Sequence, residues 1–540
     1  MRAQMRRLAK AFQRAAADHQ AGHLGEAERG YQAILAEVPD HADALHGLGL
    51  LELQRDRAAL AIAYIGQAAR ARPEDARVHL DLGLALRAQG HFEEARGAIR
   101  VATLLDPDDA LAHAALGDSL VLLNRLEDAV VAYQAALVLA PELAAARASV
   151  GLVLKELGRL DEAVVALRQG LAQLPDHAAA HVALGAALLE LDRLDEAEAA
   201  LRAALALTPD DAMALNNLGL VQHTRGEVTD AVATLSAARR LRPDLAPIAS
   251  NLAAALRDAG ELDAALAECN AALHLDPENA DAHLLAGTVH LSRGDFARGW
   301  LGFAWRHRIR NALATMSHTP QWDGSSLNGR TLLVWPEQGL GDMIQFCRYI
   351  PLIRGGRVIV AAPSPLVRLL RSLPGDAEVV PLQDAAPHAE IGCSVLDLPA
   401  LFRTELDTIP ADVPYLAADP EAVTRWRRRV DALDGRAIGL CWAGAARYQH
   451  DRRRSLLPEL LTPLGDVQDV SWVSLQKDPA HLPDLTMVDW TDELADFAEA
   501  AALVTALDLV VTVDTAIAHL AGALGRPVWL LNRFGGDWRW

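Results

Sequence analysis

The stretch Gly83-LALRAQGHFEE-Ala95-RGAIRVATLLD-Pro107 decides how the first half of the chain is read. A glycine is followed twelve residues later by an alanine and twelve after that by a proline. The proline recurs as Pro39, Pro73, Pro107, Pro141, Pro175, Pro209, Pro243 and Pro277, at intervals of 34 residues throughout. The alanine recurs as Ala27, Ala61, Ala95, Ala129, Ala163, Ala197, Ala231 and Ala265. The first small residue recurs as Ala15, Gly49, Gly83, Gly117, Gly151, Gly185, Gly219 and Ala253. Self-similarity at a fixed period is the mark of a repeat architecture. Small residues let two helices of one repeat approach, and a larger apolar residue four positions after the alanine, such as Tyr31, Ile65 or Tyr133, fills the groove between them. Proline ends the second helix because it lacks an amide proton and clashes with the preceding turn. Gly90 and Gly158 lie in the short polar turns, where a left-handed helix cap suits glycine.

These residues resemble the tetratricopeptide repeat, in eight regular copies to residue 279 and one degenerate copy to about 310 that keeps Gly287. The expected architecture over 8–310 is therefore an all-α superhelix whose concave groove binds a partner. In the protein O-linked N-acetylglucosamine transferases, asparagines line that groove two positions before the repeat glycine. Here Asn217 and Asn251 fit that pattern and most equivalent positions do not, which argues against an asparagine ladder.

Composition narrows the functional classes. With 71 acidic and 51 basic residues the formal charge is −20, so no bare nucleic-acid or anionic-membrane surface is expected. All basic residues but Lys10, Lys155 and Lys477 are arginine. Cys269, Cys347, Cys393 and Cys441 are widely spaced, which supports neither a zinc ribbon nor a disulfide framework. The basic N-terminus lacks the apolar core of a signal peptide, and no apolar run approaches the ~18 residues of a membrane span. The expectation is a soluble cytoplasmic chain with no metal and no cofactor.

Beyond residue 318 the helical period gives way to short apolar runs alternating with helical segments, the pattern of parallel α/β units. Strands are expected at 331–335, 357–362, 378–381, 437–442, 470–475, 509–513 and 527–531. Helices are expected at 342–353, 365–373, 420–433, 456–465, 495–507 and 515–524. The reading is of two Rossmann-like lobes, 318–415 and 416–540, with ligands held beyond the carboxyl ends of the strands.

Three segments at strand ends carry polar chemistry. Trp335-PEQGLG-Asp342 is a strand, a loop and a helix start, in which Gly339 and Gly341 allow a tight turn and close approach to backbone amides. No G-K-[ST] follows, so it is not a Walker loop, and the third glycine of a dinucleotide fingerprint is missing. Cys441-WAGAARYQHDRRR-Ser455 supplies Arg447, Arg452, Arg453 and Arg454, which suit either a solvated basic loop or phosphate oxygens. Val513-DTAIAHLAGALGR-Pro527 ends a strand on Asp514 and opens a helix. Asp514 or Thr515 can cap that helix. Its first amides also suit an anion, with His519 one turn further along.

Together these segments resemble the heptosyltransferases, glycosyltransferase family 9, whose members have the GT-B fold of two Rossmann-like lobes. The resemblance rests on Gly341-Asp342, on Ser474-LQ-Lys477 and on Asp514-TAIAHLAGALGR-Pro527, and it covers about 325–540. It implies a metal-independent inverting transferase with a nucleotide-diphosphate-sugar as donor. Asp342 then matches the catalytic base, Lys477 the phosphate-contacting lysine region, and Asp514, Thr515 and His519 the donor-binding motif; the helix-start amide of Ala516 and the loop residue Arg447 are expected to join them on the diphosphate. It also implies a longer family domain, so the chain reads as C-terminally truncated after 527–531. The acceptor is expected to be a protein or glycan held by the repeats. The alternative from another class is a non-catalytic interaction scaffold with a degenerate transferase-like domain; an oxidoreductase is disfavoured by the absent glycine fingerprint.

Overall fold

The computed structural model describes residues 2–309, 319–382, 388–444, 454–477, 483–533 and 537–540. The chain divides into two compact units, Met1–Val221 and Gln222–Trp540. The division falls inside helix Ala212–Arg225, so the last helix pairs of the array belong with the α/β region.

The first unit is a helical solenoid. In its third repeat, helix Ala76–Ala88 packs on helix Phe92–Leu105, and the latter stops two residues before Pro107. Asp75 caps the first of these by accepting from the Arg77 and Val78 amides. From Gly49 to Gly185 the repeat glycine meets the larger residue of its partner helix. A Cβ added to Gly83 would lie 2.3 Å from Ile99, one on Gly117 2.7 Å from Tyr133, and one on Gly151 2.5 Å from Leu167. The large residues are sealed: Ile65, Ile99, Leu167 and Leu201 have no exposed surface. Burying each such side chain contributes about 1.5–3 kcal/mol. Gly90 and Gly158 take the left-handed conformation, with φ of 80° and 72°. Asp56, Asn124 and Asp192 hold it at the equivalent turn of other repeats, at 58°, 55° and 58°.

The second unit begins with the remaining repeats, in which Leu235 and Cys269 take the place of Ile99. Its last pair, helices Ala280–Ser292 and Phe296–Phe303, is the degenerate copy. Gly287 and Gly302 meet backbone to backbone there, a Cβ on Gly302 lying 2.6 Å from Gly287 Cα. Phe296, Trp300 and Phe303 share one core with both sheets, and the Trp300 indole donates to the Thr404 carbonyl at 2.9 Å.

No strand precedes residue 331 among the described residues. Two parallel sheets follow. The first has strands β1 (Thr331–Trp335), β2 (Arg357–Ala362), β3 (Glu378–Pro381) and β4 (Ile391–Ser394) in the order β3-β2-β1-β4. The second has β5 (Arg436–Cys441), β6 (Val470–Ser474), β7 (Val488–Asp489), β8 (Leu509–Val513) and β9 (Val528–Leu531) in the order β7-β6-β5-β8-β9. In each, the order reverses beside the first strand, and the crevice beyond the strand ends opens at that point.

The expected strands are all present, within a residue or so at their ends. β4 and β7 are additional; β7 is only two residues long, and the Gly-Cys-Ser of β4 has little intrinsic strand preference. The helices depart further from expectation. The segment expected as one helix over 342–353 is helix Leu340–Phe346 followed by the 3₁₀ turn Cys347–Leu352, which contains Pro351. The segment expected at 456–465 is a 3₁₀ stretch, Pro458–Asp466, in which Pro463 interrupts the α-helical ladder, whereas Pro458 stands at the first position, where proline is tolerated. The one expected at 365–373 is reduced to the 3₁₀ turn Ser364–Leu366 and helix Val367–Leu370.

Candidate active site

β1 runs into the loop Pro336–Gly339 and helix Leu340–Phe346, whose N-cap is Gly339. Asp342, in the first turn, accepts the Gly339 amide through Oδ2 at 2.9 Å and so satisfies one of the open donors of the helix start. Glu337 in the same loop is 6% exposed and takes a bidentate pair from Arg306, Nε–Oε1 at 2.9 Å and Nη2–Oε2 at 3.0 Å. Arg306 also meets Asp397 at 2.5 Å, and the Ser394 hydroxyl donates to Glu337 at 2.5 Å. The end of the repeat array thereby fixes the loop carrying Gly339, Gly341 and Asp342. Burial pushes the Asp397 carboxyl up, but His307 and Arg306 outweigh it and hold the group below the usual carboxylate range.

On the second sheet, β8 ends at Val513 and helix Ala516–Ala523 begins two residues later. Thr515 stands at its N-cap without a side-chain cap bond; its hydroxyl turns instead to Thr512 Oγ1 at 3.0 Å and Cys441 Sγ at 3.7 Å. Among the described residues no side chain caps this helix, so the amides of Ala516 and Ile517 have no side-chain acceptor there at the positive end of the helix dipole. Arg454 reaches the same point, its Nη1 donating to the Asp514 carbonyl at 3.0 Å.

The two helix starts pack on one another. A Cβ on Gly341 would lie 2.7 Å from His519 Cδ2 and 3.3 Å from Ala516 Cα. Gly341, Asp342, Ala516 and His519 thus converge, with Asp514 close enough to influence the Asp342 carboxyl. The segment Asp537–Trp540 covers the junction: Arg539 Nη2 pairs with Asp342 Oδ1 at 2.8 Å, and Trp540 stacks on His519 with ring centroids 4.6 Å apart. Burial raises the Asp342 carboxyl above its ordinary range, with Arg539 and the Gly339 amide opposing it. Burial, reinforced by Arg539, depresses His519 to about 3, so its imidazole is neutral at neutral pH.

Lys477 follows β6, and its ammonium donates to the Leu494 carbonyl at 3.1 Å. β5 lies between β6 and β8, and no bond joins Lys477 to the Asp342 group among the described residues. Gln476, its neighbour, ties the ends of β5 and β6 by accepting the Ala443 amide at 2.8 Å. Arg447, Arg452 and Arg453 lie outside the described residues. Sequence reasoning passed over Glu337, Arg306, Arg539 and Trp540. The dense tryptophan and arginine of Asp537-WR-Trp540 was a signal for the last two; nothing local marks Arg306.

Comparison with known proteins finds two kinds of match along the chain. The tetratricopeptide repeat model matches residues 12–76, 80–144, 151–212, 187–246 and 251–299, and the chain belongs to that family. The model of glycosyltransferase family 9 (heptosyltransferase) matches residues 494–531, which carry β8, helix Ala516–Ala523 and β9. Protein FlbA of Caulobacter vibrioides is 27% identical over 279 residues, 45% of this chain and 47% of FlbA. The chain spans about half the length of that curated relative. Among solved structures, YrrB, a tetratricopeptide-repeat protein with an unusual peptide-binding site, is 23% identical over 34% of this chain and 95% of its own, at a TM-score of 0.32. The Cut9–Hcn1 hetero-tetramer is 19% identical over 53% of this chain and 57% of its own, at 0.39.

Proposed function

We propose that the α/β region is a glycosyltransferase domain of GT-B type, moving a sugar from a nucleotide-diphosphate-sugar to an acceptor recruited by the tetratricopeptide repeats. The observation that carries this reading is the meeting of two helix starts from two parallel sheets, one bearing a buried carboxylate and the other uncapped amides. The donor diphosphate would lie on the amides of Thr515 and Ala516, with Arg454 beside them and Arg447 from the same loop. Asp514 and His519 would border the donor, Gly339 would let it approach the loop backbone, and Gly341 lets the two helix starts meet beside it. Asp342 would take the proton of the acceptor hydroxyl as the oxygen attacks the anomeric carbon and the nucleoside diphosphate departs. Fixed amides and guanidinium groups stabilise the charge that develops on the leaving group. Lys477 would have to release the Leu494 carbonyl to reach a phosphate there.

The second reading, an interaction scaffold without catalysis, draws on one observation: both oxygens of Asp342 are engaged, by the Gly339 amide and by Arg539. Calorimetry with UDP, GDP and ADP, followed by transfer assays with the corresponding sugars, separates the two. The enzyme reading expects nucleotide binding that survives Asp342→Asn while turnover is abolished, since the amide keeps the shape but takes no proton. A folded wild-type chain that binds none of the three nucleotides leaves the scaffold.

A further inference from the structure

Arg539 occupies a singular place at the junction. Its Nη2 binds Asp342 Oδ1 at 2.8 Å and its Nη1 binds Asp537 Oδ1 at 2.8 Å, with its side chain 9% exposed. The guanidinium lies 4.7 Å above the Trp538 ring and 5.6 Å from that of Phe346. Trp538 is itself fixed by Trp300, Phe303 and Phe346, at centroid distances of 5.4, 5.6 and 6.2 Å. Trp540, on the other side, lies on His519. Four consecutive residues are thus anchored to the last repeat, to the helix of Asp342 and to the helix of His519, with the arginine at the centre. An arginine held this way is preorganised, so little side-chain freedom is lost in pairing with a carboxylate.

The division of labour on Asp342 is informative. Oδ2 is used by the helix start, which fixes the rotation of the carboxyl group. Oδ1 accepts one N–H from Arg539, and a carboxylate oxygen has a second lone pair free for an incoming hydroxyl. Building on the transferase reading above, we propose that Arg539 is a positioning residue that keeps Asp342 ionised and oriented toward the acceptor hydroxyl, acting through the carboxylate without touching substrate. Among the described residues the charged and titratable groups that act on Asp342 are Arg539, Asp537 and Asp514, with neutral His519 behind, Arg348 acting on His519 and Arg454 on the Asp514 carbonyl. Arg539 is, among the described residues, the cation that acts on Asp342 directly, while Asp514 and Asp537 both favour its protonation, as does burial. Without Arg539, burial, Asp537 and Asp514 push the carboxyl toward the neutral acid, which cannot accept a proton, and the Gly339 amide opposes them.

The test uses the full chain and donor hydrolysis, in which water replaces the acceptor. Its oxygen bonds to the anomeric carbon, the bond from that carbon to the diphosphate oxygen breaks, and Asp342 takes the water proton. UDP-glucose, GDP-mannose and ADP-glucose serve as probes, with release of the nucleoside diphosphate measured across pH 5 to 9. In Arg539→Gln the acid limb of kcat/KM is expected to move up by at least one pH unit, with the rate at pH 6 falling about tenfold for each unit and recovering at high pH. Arg539→Lys, which restores the charge, should return the limb to the wild-type position even if kcat stays lower. Affinity for the nucleoside diphosphate should change less than twofold in both. A wild-type limb in a folded Arg539→Gln chain, or a loss equal at every pH, overturns the proposal while leaving the transferase reading intact. A wild-type chain that binds the nucleotides but hydrolyses no donor overturns both.

Discussion

A methyl group at residue 341 would stand 2.7 Å from His519 Cδ2, so at this point a single hydrogen side chain is what lets two helices meet. Gly341→Val is expected to force the helix starts apart at a cost of about 1–3 kcal/mol, the usual range for overpacking, and to weaken nucleotide binding with it. His519 carries a second consequence. Its folded-state value of about 3 lies below the ordinary 6.5, so between these values the unfolded chain holds a proton that the folded chain refuses. Its contribution to stability is therefore full above pH 6.5 and is lost as pH falls through that window. His519→Phe keeps a ring under Trp540 and removes the titration. Urea midpoints at pH 7 and pH 5 should consequently fall less in His519→Phe than in the wild type; equal falls would contradict the burial assigned to this imidazole.

At the scale of elements, the proposed donor site depends on which residues the strand ends bring together. Arg454 lies on the β8 end through the Asp514 carbonyl, whereas Lys477 is drawn to Leu494 beyond β5 and β6. Arg454→Ala should therefore weaken nucleoside diphosphate binding by about tenfold or more, an arginine–phosphate contact contributing roughly 1.5–3 kcal/mol. Lys477→Ala should have a smaller effect, and calorimetry giving the reverse order would restore Lys477 to the phosphate site. The loop from β1 depends on Arg306. Removing that side chain would strand Glu337 in a buried position, a situation that costs about 3–5 kcal/mol, so Arg306→Ala should destabilise the second unit far more than Arg308→Ala on the exposed face of the same turn.

At the scale of the molecule, the distribution of tryptophan provides a direct measurement. All eleven tryptophans lie at Trp300 or beyond, inside the second unit, whereas the regular elements of the first unit are all helices among the described residues. Fluorescence thus follows the second unit and far-UV circular dichroism is weighted toward the first. Ile99→Ala, which empties a fully buried site at a cost of about 2–5 kcal/mol, should shift the dichroism transition and leave the fluorescence midpoint in place. Arg306→Ala should do the opposite, and coincident shifts in both variants would mean that the chain unfolds as one unit. The four cysteines give a further check. All are free and buried; burial pushes Cys269 up to about 12 and raises Cys347, Cys393 and Cys441 as well. None should react with a thiol reagent until the chain unfolds.

The 34-residue period and the strand-end motifs were legible because their causes are local. A small residue, a larger one and a proline recur at spacings set by helix geometry, and turn and strand preferences act over a few neighbours. From these the sequence by itself determined the solenoid, the expected strands of both sheets and the candidacy of Asp342, Asp514 and His519. Helix continuity was less legible, since expected α-helices became 3₁₀ segments around the interior prolines Pro351 and Pro463. What only the tertiary structure decided was the company these residues keep. Arg306 reaches Glu337 across 31 residues, and Arg539 reaches Asp342 across 197. Neither spacing follows a helical or strand period, because such contacts are selected by the burial of charge once the helices and sheets have packed. The same physics separated Arg454 from Lys477: both follow strands of one parallel sheet, and only the order of those strands places one beside the uncapped helix and the other two strands away.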